Sequence, residues 1–353
     1  MGEPLPLWYR LLAWLLRGVY FGRVDVQGAV TAVGGGYPRL IVSSHRNGAI
    51  DGYTVLRAFP HAQFLVSVQL LRSRLLRMMF AGIPVVRGKD IERYGIRRAA
   101  FADPVEAGCA HLRASGDLVI FPEGSSEWGW RPLPYQRGAA RIACQLAGEG
   151  VPVEIVPIGL FYAQPDAFRS HVEIMRGPAV TLPRRGDGEP LRQWEQRVQQ
   201  VIANALDAVS VCCRDAAHFA AAESSARHAL AAGGSYAEAF LAAQRITELA
   251  TPTPAQEKPS GIVHQRHWLW DAPLLAALIL SAWPVALAAG LAGTKAEGRN
   301  TVTFFRMVGG FAAAIAWLPP LVALTIWQPL PMSVLLALGA LGWWRYPRMF
   351  VRV

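Results

Sequence analysis

Cysteine is scarce in this 353-residue chain: Cys109, Cys144, Cys212 and Cys213 are the four present. Their spacing suits neither a disulfide framework nor a zinc cage, which excludes a small secreted scaffold and a metal finger and fits a reducing compartment. The neighbours Cys212 and Cys213 are expected to pack within a helix. A phosphate loop is missing too. The run Gly34-Gly35-Gly36 has no lysine and no helix start after it, and it reads as a turn between two extended segments. No cleavable export signal is expected, because Glu3 precedes the apolar part and no small-residue cleavage site follows. Charge is thin at 17% of residues, and the stretches 272–294 and 307–344 contain none.

What charge there is leans basic, 35 Lys and Arg against 25 Asp and Glu, for a formal +10. Much of the excess lies between Arg72 and Arg98, where eight basic residues stand against Asp90 and Glu92. A solvated helix face would explain such a run, but an anionic partner, phosphate or acidic lipid, explains it better beside the uncharged tail. Nucleic acid is a poor fit, since the tail reads as membranous.

The chain divides into four parts. Residues 1–23 hold an apolar helix in which Arg10, Arg17 and Arg23 share one stripe; it reads as an amphipathic segment at a membrane interface, with a buried core helix as the plainer alternative. Residues 24–210 have an α/β pattern. Short apolar runs at 38–43, 63–68, 117–121, 153–160 and 171–176 read as buried strands, between helix-like segments at 51–59, 69–80, 103–115 and 136–149. Residues 211–261 are a helical extension and linker. Within 189–250 two or three helices are expected, broken at Gly233-Gly234 and followed by the linker TPTPAQEKPSG at 251–261. Residues 262–353 form a helical transmembrane region. About 20 apolar residues cross a bilayer, so 272–294 reads as one crossing, and Pro319-Pro320, Pro329 and Pro331 are expected to break 307–344 into two pieces. Basic residues flank both ends of the first run, so charge barely sets its orientation.

Chemistry concentrates in four blocks in fixed order: SSHRNGAIDG at 43–52, AGIPVVRG at 81–88, IFPEGSS at 120–126 and EIVPIGLFY at 154–162. His45 and Asp51 follow the apolar run Leu40-Ile41-Val42, which puts a proton acceptor and a carboxylate on the loop leaving a strand. A hydroxyl nucleophile needs that pair: an imidazole to take its proton, and an anion to orient the imidazole and stabilise its charged form. Arg87 offers a planar guanidinium suited to phosphate oxygens. Backbone amides of the turn Gly124-Ser125-Ser126 suit a phosphate or an oxyanion. Glu123 is read as accepting a hydroxyl hydrogen bond or holding an arginine.

These blocks resemble the glycerophospholipid acyltransferases, the family of the 1-acylglycerol-3-phosphate and glycerol-3-phosphate acyltransferases, over roughly residues 5–210. The resemblance implies an α/β acyltransferase domain, preceded here by an interfacial helix and followed by the transmembrane region. In that family His and Asp form a motif written N-H-x-x-x-x-D. By the resemblance His45 is the general base and Asp51 its orienting partner; Glu123, Gly124 and Ser125 belong to the acceptor site, Arg87 binds the acceptor's phosphate, and Pro157 lies beside the acyl-chain pocket. The implied donor is acyl-CoA or acyl-carrier protein, a co-substrate, with no metal or other cofactor. The implied acceptor is glycerol 3-phosphate or lysophosphatidic acid, and the catalytic domain of an integral membrane protein would face the cytoplasm. Other lysolipids or an aminolipid are alternative acceptors, and a silent lipid-binding scaffold is an alternative outside catalysis.

Two departures bear on this. Five residues, not four, separate His45 from Asp51, and on a regular helix such positions would not share a face. Asn47-Gly48 supplies a turn able to absorb the extra residue. The family's arginine after F-P-E-G-T is absent, with Ser125-Ser126-Glu127 in that stretch, so phosphate binding leans on Arg87, with Lys89, Arg131 or Arg137 in support.

Overall fold

The computed structural model describes residues 5–28, 37–86, 103–246 and 268–350. The Gly34–Gly36 run, Arg87, Lys89, the basic residues up to Arg98 and the 251–261 linker lie outside them. Seven strands form one sheet: β1 (Arg23–Gln27), β2 (Arg39–Ser43), β3 (Gln63–Ser67), β4 (Ile83–Val85), β5 (Leu118–Ile120), β6 (Glu154–Tyr162) and β7 (His171–Arg176). Their order is β1-β7-β6-β2-β5-β3-β4, and all neighbours run parallel except β6 and β7. Parallel strands are covered on both faces, which is why β2, β5 and β6 carry unbroken apolar runs, whereas β1 at the sheet edge and β7 beside it alternate.

The two faces carry separate cores. On one, Leu40, Val42, Leu118 and Ile155 meet α4 (Pro104–Arg113), α5 (Gly138–Gly148), α6 (Leu191–Asp207), α7 (Ala216–Ala231) and α8 (Tyr236–Arg245). Residues of α7 and α8 thus share the sheet's own core. On the other, Ile41, Val119, Val156 and Ile158 meet α1 (Leu7–Tyr20), α2 (Asp51–Val55) and α3 (Arg74–Met79). Successive residues of β2 divide between the cores, as the period of a strand requires.

All five expected strands and the four expected helices are found where the apolar runs placed them; most are shorter at their ends, β7 matches, and β6 runs on to Tyr162. The segment 69–80 divides, because Ser73 accepts the Leu76 N–H and starts α3 afresh after a 3₁₀ turn at Val68–Leu71. The extended segment expected before Gly34 is β1, whereas β4 went unforeseen, since Pro84 interrupts its Ile-Pro-Val. Pro157 does not end its strand: it is the fourth of nine residues in β6, and its carbonyl accepts the Gly177 N–H where β7 has just finished. Cys212 and Cys213 sit between helices; α6 ends at Asp207, and the Cys213 N–H donates to the Trp130 carbonyl at 2.7 Å. At Gly159 the backbone of Val209 crosses β6 so closely that a Cβ would meet its carbonyl at 1.8 Å.

The tail is three helices, α9 (Trp268–Gly293), α10 (Arg299–Trp327) and α11 (Pro329–Phe350). Among the described residues, Asp271–Gly293 and Arg299–Trp327 are long and apolar enough to cross a membrane. The stretch 307–344 falls into two pieces as expected, although Pro319-Pro320 lies inside a continuous helix and does not make the break. In apolar surroundings two missing N–H groups do not end a helix by themselves. The break falls at Gln328 (φ −128°, ψ 70°), and Pro329 opens the next helix where its missing N–H is not needed. Gly342 lets α11 approach α9, for a Cβ there would lie 2.3 Å from the Leu274 carbonyl.

Helix α1 buries Tyr9, Ala13 and Tyr20 and leaves Leu7, Trp8, Leu11, Trp14, Leu15 and Val19 exposed. Arg17 does not keep to a solvent stripe: its Nη1 donates to the Tyr53 carbonyl at 3.1 Å, and burial followed by the nearby Arg57 pushes its pKa down to about 10.

Candidate active site

His45 leaves the carboxyl end of β2 and Asp51 opens α2, so the site lies at the edge where open α/β sheets place ligands. The intervening chain is a tight turn. Gly48 adopts φ +58°, a left-handed conformation that suits glycine, and a 3₁₀ turn at Gly48–Ile50 brings Asp51 back toward His45. The His45 Nδ1 to Asp51 Oδ2 distance is 2.8 Å, so the extra residue is accommodated. Asp51 is fully buried, and its Oδ2 also accepts the N–H groups of Arg46 (2.6 Å) and Asn47 (2.8 Å). Its Oδ1 accepts the Tyr162 hydroxyl at 2.6 Å, and that hydroxyl lies 3.0 Å from Thr54 Oγ1. With the carboxylate as acceptor, Nδ1 carries the proton and Nε2 keeps its lone pair. The imidazole stacks on Phe121 at 4.5 Å between ring centres and keeps 16% side-chain exposure, enough to be reached.

Glu123, on the turn after β5, is 4% exposed. Its Oε1 accepts the His45 N–H at 2.7 Å and its Oε2 the Leu133 N–H at 3.1 Å. Burial raises its pKa above the ordinary carboxylate value, against those two bonds and the positive charge of Arg46. The carboxylate therefore ties the F-P-E-G turn to the histidine loop. Arg46 is buried beside it, its Nη1 on the Gly129 carbonyl at 2.8 Å and its guanidinium 4.4 Å from the Trp128 ring centre. Its Nε and Nη2 have no hydrogen-bond partner among the described residues.

The remaining expected residues divide. Gly124 sits at φ +67° and its N–H donates to the Phe121 carbonyl at 3.0 Å, whereas the amides of Ser125 and Ser126 have no backbone acceptor among the described residues. Pro157 is buried in β6, its ring at the spot where a Cβ on Gly177 would fall. Arg131 is exposed, stacks on Trp130 at 4.2 Å and reaches the Arg214 carbonyl; Arg137 is exposed ahead of α5. Arg46, Asn47 and Tyr162 escaped the sequence reading. Arg46 and Asn47 lie between His45 and Asp51, and Tyr162 closes the fourth block, so their places in the motifs were the available signal. Ligand-type atoms of Asp25, His171 and Glu173 lie within 4.8 Å of one another on β1 and β7. There Glu173 accepts from Ser235 Oγ and from the N–H groups of Tyr236 and Ala237, which makes it a staple for the start of α8.

Fold and site together define an α/β protein with an acid–imidazole pair at the carboxyl edge of a largely parallel sheet. No protein-family model matches the chain. Among curated proteins it is similar to glycerol-3-phosphate O-acyltransferase 1 of Saccharomyces cerevisiae, 30% identical over 128 residues, which cover 33% of this chain and 17% of the yeast protein. The match thus spans about a sixth of that relative's length. Among solved structures it is similar to the 1-acyl-sn-glycerophosphate (LPA) acyltransferase PlsC from Thermotoga maritima, at 13% identity and a TM-score of 0.36 over 56% of this chain and 77% of that one. The resemblance to glycerolipid acyltransferases, read above from four short blocks, is supported by the yeast relative.

Proposed function

We propose that this chain is a membrane-bound O-acyltransferase that moves a fatty acyl group from acyl-CoA or acyl-carrier protein to the hydroxyl of glycerol 3-phosphate or lysophosphatidic acid. The observation that carries the reading is the 2.8 Å contact between His45 Nδ1 and the fully buried Asp51. In the proposed reaction Nε2 takes the acceptor's hydroxyl proton as its oxygen attacks the thioester carbonyl. The new C–O bond forms, the C–S bond breaks, and the departing thiolate takes the proton from the imidazolium. Asp51 stabilises the imidazolium in between. The amides of Ser125 and Ser126 are proposed to receive the oxyanion or the acceptor's phosphate.

Glu123 acts through the His45 backbone it holds, and its place in the acceptor site, Arg87 on the phosphate and Pro157 beside the acyl chain belong to the same proposal. Membrane attachment is supported by α9 and α10 and by the exposed apolar face of α1, whose Trp8 and Trp14 suit headgroup depth. Lysolipid and acyl chain both partition into the bilayer, so a site beside it meets them directly; the cytoplasmic face is proposed because the donors are found there.

The test is acyl transfer by the purified protein with labelled acyl-CoA and a panel of acceptors. A phosphate-bearing glycerol acceptor is expected to be preferred, and His45→Ala is expected to abolish turnover. Full turnover by that variant would overturn the mechanism. Another lysolipid or an aminolipid as acceptor is the second reading, favoured by Ser125-Ser126-Glu127 occupying the stretch where the family has arginine; preference in the panel for one of these over glycerol 3-phosphate and lysophosphatidic acid would establish it.

A further inference from the structure

The start of α10 packs against two loops, the turn that carries the acid–imidazole pair and the loop of Ser126. We infer that Asn300 and Thr303 are positioning residues of the acyl-transfer site, which makes the tail a working part of that site in addition to an anchor. The inference rests on the acyl-transfer reading. Asn300 Nδ2 donates to both the carbonyl and the Oγ of Ser126, each at 2.9 Å. The next residue along, Glu127, donates its N–H to the His45 carbonyl at 3.2 Å. Thr303 is fully buried; its Oγ1 donates to the Pro165 carbonyl at 2.5 Å and accepts from Asn47 Nδ2 at 3.4 Å. The backbone N–H of that same Asn47 is one of the donors on Asp51, at 2.8 Å. On the same turn, the Asn300 carbonyl stands 3.3 Å from where a Cβ on Gly48 would be.

Two short routes therefore run from the tail to the pair: Asn300 through Ser126 to the His45 backbone, and Thr303 through Asn47 to Asp51. Residues 45–47 belong to no helix or strand; Glu123 and Asp51 accept their N–H groups, and the bonds from Asn300 and Thr303 reach the neighbouring Ser126 and the Asn47 side chain. Insertion into lipid requires only apolar surface, and it does not explain a buried threonine and an asparagine aimed at the catalytic loops. Polar groups buried and satisfied at one contact specify one arrangement of the parts they join. Seating of the tail and geometry of the pair are coupled through this contact.

The experiment uses the full-length protein in lipid nanodiscs. Asn300→Asp keeps the shape and removes both donors; Thr303→Val keeps the shape and removes the hydroxyl; Thr303→Ser keeps the hydroxyl. Ile326→Ala, at the exposed far end of α10, is the control for tail integrity. Single-turnover rate, KM for both substrates, thermal unfolding and amide hydrogen exchange at Arg46 and Asn47 are measured. Expected are a fall in kcat of about 10- to 100-fold for Asn300→Asp and Thr303→Val, little change in KM, and near-parental activity for Thr303→Ser and Ile326→Ala. Exchange at the two amides is expected to rise about 10-fold or more in Asn300→Asp and Thr303→Val, with unfolding unchanged. Parental kcat in both variants, equal losses for Thr303→Ser and Thr303→Val, or losses that follow the fraction unfolded would each overturn the inference. If the unaltered protein transfers no acyl group, the acyl-transfer reading fails; unchanged exchange at Arg46 and Asn47 would then overturn the coupling separately.

Discussion

Asp51→Asn isolates the charge of the pair from its architecture. The carboxylate receives four donors: His45 Nδ1, the N–H groups of Arg46 and Asn47, and the Tyr162 hydroxyl. An asparagine can keep its carbonyl oxygen at the Oδ2 position and present its NH2 to Tyr162, whose hydroxyl proton then turns to Thr54 Oγ1, 3.0 Å away. Orientation and tautomer of the imidazole survive, and the negative charge does not. With charge centres about 4 Å apart and an effective dielectric constant near 20, that charge is worth about 4 kcal/mol to the imidazolium. A loss of that size corresponds to roughly 10³ in rate. The assay is single-turnover transfer from a labelled acyl donor, with thermal unfolding in parallel. Expected are a kcat about 10³ lower, an unchanged KM and a near-parental unfolding temperature. Asp51→Ala, which strands buried donors worth about 1–3 kcal/mol each, should unfold far more easily. A rate loss below about tenfold for Asp51→Asn would refute the reasoning, leaving Asp51 as an architectural acceptor and His45 without its partner.

Other consequences can be checked in the same preparations. Arg46→Met removes a cation that opposes the raised pKa of Glu123, so that pKa should rise further and the acid limb of the rate–pH profile should move to higher pH. An acid limb that stays in place would show that the carboxylate does not gate the loop. Glu173 is disfavoured as an anion by burial, but hydrogen bonds from His171, Ser235 and the amides of Ala237 and Tyr236 bring its pKa from 4.5 to about 2. Its stabilisation is present above the unfolded value and lost as pH falls through the folded one; the unfolding temperatures of parent and Glu173→Gln should therefore differ at pH 7 and converge toward pH 2. Gly159→Ala should cost about 3 kcal/mol or prevent folding, because its methyl would meet the Val209 carbonyl; expression and calorimetry decide.

The strands and helices of the α/β core were legible because their signal is local. Leu40-Ile41-Val42 and Leu118-Val119-Ile120 are apolar on consecutive positions, as strands covered on both faces must be. β4 is no shorter than β5, but Pro84 stands in its middle, and a proline there argues against a strand. Pro319-Pro320 and the Cys212-Cys213 pair were misread because local rules place breaks and helices without knowing the surroundings. In the site, His45, Asp51 and Glu123 were visible as motif residues, but the carboxylate of Glu123 is occupied by backbone amides, which no spacing reveals. Arg46 and Tyr162 gain their roles from contacts with distant segments.

By itself the order of residues determined which groups are available: one imidazole and one acid on a loop after a buried strand, a glycine where the turn needs positive φ, and apolar helices too long to be covered by a small domain. Those follow from covalent geometry and from short-range burial. Only tertiary structure decided that the acid turns back to the imidazole, that Glu123 grips the histidine's backbone, and that a helix more than 250 residues further along rests Asn300 against Ser126 and Thr303 against Asn47. Hydrogen bonds at about 3 Å between segments remote in the chain depend on how the sheet and helices pack, and that packing is set by the whole core at once.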